Sequence, residues 1–150
     1  MDRSPAPNAT MTKFGFPETV VADYVSWTLQ LRPKQVTLGS LVLVCKAPVR
    51  AFHEIGAAAF AELERVTTDI ERTLATLVRY ERINYLMLMM VDPDVHLHVI
   101  PRYSQSRSFA GAEFVDAGWP GPPDLKTGID VEDILRAELL TALRTEWKNV

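Results

Sequence analysis

Two of the chain's three histidines fall in one alternating run, Asp94-Val95-His96-Leu97-His98-Val99-Ile100-Pro101-Arg102. Successive side chains of a β-strand point to opposite faces. Val95, Leu97 and Val99 therefore suit a core, while Asp94, His96 and His98 share the other face. Two imidazoles and a carboxylate are thereby gathered on one rigid surface. Imidazole changes charge near neutral pH and serves both nucleophilic attack and proton transfer.

The run fits three roles. The first is structural, with polar groups satisfied on a strand face. The second is a metal site, in which His-x-His presents two nitrogens and Asp94 adds an oxygen. No companion His/Cys cluster accompanies it, and the remaining His53 lies near a helix start, where a surface or capping role is expected. The third is phosphate chemistry. A neutral imidazole attacks phosphorus to form a phosphoramidate, its neighbour hydrogen-bonds a phosphate oxygen or the leaving group, and Arg102, if turned inward, adds bidentate phosphate contacts. Asn84 is a further candidate ligand contact. Trp119, in a Pro-Gly segment, is a candidate cover for a nucleotide pocket or a partner subunit. Trp27 reads as core, and Arg32, Lys34 and Arg107 as solvated surface charge.

The surrounding pattern must hold this strand. Pro17 and Glu18 predict a short helix through Tyr24. Val25 to Leu31 reads as a strand around Trp27. Gly39 to Lys46 contains the buried strand Leu41-Val42-Leu43-Val44, ended by Pro48. Ala57 to Tyr80 predicts a helix with the apolar stripe Phe60, Leu63, Val66, Ile70, Leu74 and Leu77. Asn84 to Val91 reads as a strand and Asp92-Pro93 as a turn, making Val95 to Tyr103 the second arm of a hairpin. Residues 104–129 read as an irregular loop, and 130–148 as a C-terminal helix capped by Asp130 with Asp133 three residues on. Residues 1–12 read as a flexible tail and 13–150 as a single domain. Without βαβ alternation, the expected class is α+β with an antiparallel sheet.

Composition narrows the function. A chain of 150 residues with 47% hydrophobic and 23% charged content suits one globular domain. A net charge of −3 argues against a nucleic-acid polymer as partner. No apolar stretch is long enough for a membrane span, and residues 1–12 lack the apolar run of a signal peptide, so a cytoplasmic address is expected. The single cysteine, Cys45, excludes an intrachain disulfide and reads as a buried, inert thiol.

The stretch His96-Leu97-His98-Val99-Ile100-Pro101-Arg102 resembles the later part of the histidine triad (HIT) signature, in which histidines alternate with apolar residues. Gly39-Ser40-Leu41-Val42-Leu43-Val44-Cys45-Lys46 resembles the family's preceding strand, and a long amphipathic helix lies between the two in the same order. The resemblance spans about Trp27 to Arg102. It implies a HIT-like α+β domain, a homodimer, and hydrolysis or transfer of a nucleotidyl group at an α-phosphate through a covalent nucleotidyl-histidine. The implied substrates are dinucleoside polyphosphates or nucleoside phosphoramidates. By position His96 is the implied nucleophile, and His98 the residue that contacts phosphate and assists the leaving group. No cofactor is implied, although magnesium accompanies some substrates.

Three positions depart from that signature. Asp94 stands at the first histidine. A carboxylate about 4 Å from a phosphate, at an effective dielectric near 20, costs on the order of 4 kcal/mol. The small polar segment before the histidines is replaced by Asp92-Pro93. Gln30 occupies the ribose-contact position in place of an acid. The alternatives are a nucleotide-binding module with little turnover and a metal-dependent enzyme using Asp94, His96 and His98.

Overall fold

Residues 6–149 are described by the computed structural model. The expected flexibility of residues 1–5 lies outside them. The elements in chain order are α1 (Ala9–Lys13), β1 (Val20–Asp23), β2 (Trp27–Leu31), β3 (Lys34–Gln35), β4 (Leu41–Cys45), a single 3₁₀ turn at Phe52–Glu54, α2 (Ala57–Leu77), β5 (Arg82–Leu86), β6 (His96–Arg102), β7 (Arg107–Phe109), β8 (Ala112–Phe114), β9 (Ile129–Asp130) and α3 (Asp133–Trp147). Five strands form one antiparallel sheet in the order β1-β2-β4-β6-β5, so the histidine strand is interior and paired on both sides. The class is α+β, as expected.

Register carries the side-chain alternation across the sheet. Leu29, Leu43 and Leu97 sit in one row, and Leu31, Leu41 and Val99 in another. These rows join Val66, Ile70 and Leu74 of α2 and Leu139, Leu140 and Leu143 of α3 in the main core. The intervening rows, Thr28-Val44-His96 and Gln30-Val42-His98-Leu86, point to the opposite face. One position of the predicted stripe falls outside the core: Phe60 packs edge-on against Phe52 near the surface.

The opposite face is covered by the N-terminal segment. Met11 packs on Val42 and Val44, flanked by Phe14 and Phe16. Residues 9–12 are therefore not a loose tail. The Asn8 side chain caps α1 by accepting from the Met11 amide at 2.9 Å, and its own amide donates to Cys45 O. Gly15, at φ +88°, turns the chain away after the helix.

Other expectations need correction. The helix predicted after Pro17 gives way to β1, because Val20 to Asp23 pair with β2 and bury Val21. The histidine strand is not held by a tight Asp92-Pro93 hairpin. β5 ends at Leu86 opposite His98, and residues 87–95 form a long connection. The 104–129 stretch contains the β7–β8 hairpin. Asp130 pairs with Lys34 instead of capping α3, which starts at Asp133 after an N-cap Glu132 that makes no side-chain cap bond.

Arg102 ties this C-terminal stretch to the sheet. Its Nε donates to Asp116 Oδ2 at 2.7 Å and its Nη2 to Asp116 Oδ1 at 3.1 Å, with Asn84 Oδ1 and Gly121 O taking further donors. Both partners are buried. Removing one member of such a pair strands the other charge away from water. Arg102→Leu should therefore lower unfolding free energy by about 3–5 kcal/mol in urea titration, whereas a phosphate contact would leave stability nearly unchanged.

Candidate active site

Both histidines lie on the floor of a cleft of about 260 Å³. Lys13 and Phe14 form one wall, and residues 88–92 another. Arg32 and Leu125 complete the lining. The two rings meet edge to face with centroids 5.1 Å apart, and Phe14 lies 6.3 Å from His96 and 5.9 Å from His98. The rings are far more covered than a freely open strand face would leave them, at 2% and 6% exposure, because α1 crosses that face.

Hydrogen bonds assign the ring protons. His96 Nδ1 lies 2.7 Å from the backbone carbonyl of Asp94. A carbonyl only accepts, so Nδ1 carries the proton and Nε2 holds the free lone pair. Arg32 Nε donates to His98 Nδ1 at 3.4 Å, which makes that nitrogen the acceptor and puts the proton on Nε2. One ring thus offers a nucleophilic nitrogen and the other an N–H donor. Burial, followed by the Arg32 charge and the neighbouring His96, pushes the His98 pKa down to about 4. His98 is uncharged at neutral pH.

Asp94 serves this arrangement through its backbone. Its carboxylate accepts from Thr10 Oγ1 at 3.0 Å and from the Thr10 amide at 3.3 Å, so it docks α1 against the start of the histidine strand. The repulsion expected for a carboxylate aimed at phosphate is thereby relieved. The proposed Asp94, His96 and His98 ligand set is not assembled either: among the described residues no group of three His, Cys, Asp or Glu side chains could hold a metal.

The remaining sequence candidates lie elsewhere. Gln30 is fully buried beneath α1, where its amide donates to Met11 O and Thr19 Oγ1. It is closed to a ribose in this arrangement. Arg102 and Asn84 bond to each other beside Asp116, and neither lines the histidine cleft. Trp119 lines a separate depression with Arg82, Asn84 and Arg102. His53 is exposed on the short 3₁₀ turn.

The arginine in the cleft is Arg32, whose sequence context reads as solvated surface charge. One Nη1 hydrogen is donated to Lys34 O, and Nε to His98. A cue was present in the sequence: Thr28, Gln30 and Arg32 alternate with Leu29 and Leu31, placing Arg32 on the polar face shared with the histidines. Lys13 also borders the cleft, with Nζ 2.9 Å from both oxygens of Asp92. Nothing local in the sequence brings Lys13 to the histidine strand.

The fold is that of the histidine triad proteins. The chain is similar to a histidine triad protein from Sinorhizobium meliloti 1021, with a TM-score of 0.73 and 17% identity over 94% of this chain and 96% of that one. A histidine triad protein from Bradyrhizobium japonicum aligns at 0.72 and 16% identity, covering 96% and 98%. A Zn-bound histidine triad family protein from Mycobacterium smegmatis aligns at 0.61 and 15%, covering 93% and 91%. No protein-family model and no curated protein matches the sequence. Among the described residues no helix is long and apolar enough to cross a membrane.

The state of His98 has a consequence for stability. A free imidazole takes up a proton near pH 6.5, but His98 in the folded protein does so only near 4. Between those values the unfolded chain binds a proton that the folded chain refuses. This group therefore lowers stability progressively as pH falls from about 6.5 to about 4, and has no such effect above that window. Urea midpoints of the wild type and His98→Asn should diverge in pH dependence across that window, the variant showing the shallower decline.

Proposed function

We propose that this chain is a divergent histidine triad protein that transfers or hydrolyses a nucleotidyl group at an α-phosphate, with His96 as nucleophile. The observation that carries this reading is the His96 Nδ1–H bond to Asp94 O, which leaves Nε2 as the attacking atom. Attack forms a P–N bond and breaks the bond from phosphorus to the leaving group, which departs with the electron pair. The imidazole becomes cationic, and the Asp94 carbonyl continues to accept from Nδ1–H. Water then attacks phosphorus and the P–N pair returns to Nε2. A water proton is lost to solvent and a nucleoside monophosphate leaves. Arg32 and the His98 Nε2–H supply positive charge and a donor for the phosphate oxygens.

The first-histidine position is dispensable in this account because the group orienting His96 is a backbone carbonyl, which any residue provides. Asp94 has a different use, anchoring α1. The sheet, the cleft and the order of elements support the nucleotide reading, as does similarity to histidine triad proteins. A homodimer is part of the same proposal.

One observation favours a second reading. The near-complete cover of both rings suits a nucleotide-binding module with little turnover. Covalent trapping separates the two. Incubation with an α-³²P-labelled nucleotide and quench in alkaline detergent should leave label on the wild type that is stable to base and released by later acid treatment, and none on His96→Ala. Equal labelling of both proteins removes His96 from the nucleophile role, and stable binding with no label on the wild type establishes the module.

A further inference from the structure

The mouth of the histidine cleft carries a cation held by a replaceable partner. Lys13, on α1, contacts both oxygens of Asp92 across the opening, and the pair shares the cleft with Arg32, His96 and His98. The Lys13 side chain is about half exposed, at 49%. An ion pair of this kind contributes little net stability, because water competes for both charges. A phosphate oxygen entering the mouth can therefore take Lys13 from Asp92. Asp92 lies across the cleft from α1, so the exchange requires only that the flexible lysine head turn from it to the entering phosphate.

The ring protons point to the same class of leaving group. Expelling an amine from phosphorus requires a proton on the departing nitrogen. The His98 ring is neutral and already donates from Nε2, with Arg32 occupying its other nitrogen. It offers a hydrogen bond more readily than a transferable proton. A phosphate leaves as an anion and needs only its charge compensated, which Lys13, lining the same cleft as His96, is placed to provide. We propose that Lys13 binds the phosphate adjoining the one that His96 attacks, exchanging Asp92 for it, so that the cleft selects nucleotides with a phosphate leaving group over those with an amine. The proposal rests on the nucleotidyl-transfer reading and adds the leaving group and the residue that recognises it.

Binding of AMP and of α,β-methylene-ADP, which resists cleavage between its phosphates, tests this in buffer containing a chelator. The wild type should prefer the longer ligand. Lys13→Gln should reduce the ratio of the two affinities by roughly tenfold, the usual size of one charge-assisted hydrogen bond. Asp92→Asn should raise that ratio, because Lys13 loses its resident competitor. Equal affinities in the wild type, or a ratio that neither substitution moves, overturns the proposal while leaving the nucleotide reading intact. Failure of the wild type to bind either ligand overturns both. The first substitution lies at an exposed side chain and the second is isosteric, so retained far-ultraviolet dichroism will verify the fold.

Discussion

The hydrogen bond from His96 Nδ1 to the carbonyl of Asp94 sets the chemistry available to this face of the sheet. It joins two residues that are two positions apart in sequence, so it survives wherever β6 holds its path. It fixes one tautomer and leaves Nε2 with a lone pair. The strand is held by β4 on one side and β5 on the other, and the leucine rows beneath it anchor the pleat to α2. A ring on an interior strand loses little further freedom when a substrate arrives, which favours a reacting atom already in position. The complementary bond from Arg32 gives His98 the opposite tautomer. Neighbouring rings of one residue type are thereby given different tasks by their second nitrogens.

Asp94 divides its labour in the same way. The backbone oxygen orients His96, while the carboxylate holds Thr10 and with it α1. Docking that segment brings Phe14 against both rings and Lys13 to the rim of the cleft, and it also buries Gln30. A substitution that would repel substrate if its side chain faced the cleft becomes a structural contact once the carboxylate turns to a local donor. Access to the histidines is correspondingly narrow, through the gap between α1 and the 88–92 segment.

Much of this was legible in the sequence, and what was not has a common physical cause. Alternation of apolar and polar residues along 95–99 and 27–31 reports which side of the sheet each residue faces, and the structure keeps that assignment for His96, His98 and their apolar neighbours. The strands β2, β4 and β6 and the long helix likewise follow from local periodicity, whereas β1 and the β7–β8 hairpin do not. Arg102 was misassigned because alternation gives a face but not a partner, and Asp116 lies on a segment without periodicity. The position of α1 was hidden for a stronger reason. Five helical residues have little intrinsic stability, and the contact that docks them reaches 84 positions along the chain from Thr10 to Asp94. Gln30 sits on the polar side as alternation requires, yet its availability depends on contacts with a segment distant in sequence.

The most direct test of the central claim is the protonation pattern of the two rings, read from long-range ¹H–¹⁵N correlations of imidazole-labelled protein at about pH 7. The account predicts opposite proton positions on the two rings, with His96 protonated at Nδ1 and its Nε2 free, and His98 protonated at Nε2 with its Nδ1 free. A His96 protonated at Nε2 would contradict it, because that ring would then lack the lone pair on which the proposed attack depends, and a charged His98 would contradict the acceptor role of its Nδ1 toward Arg32.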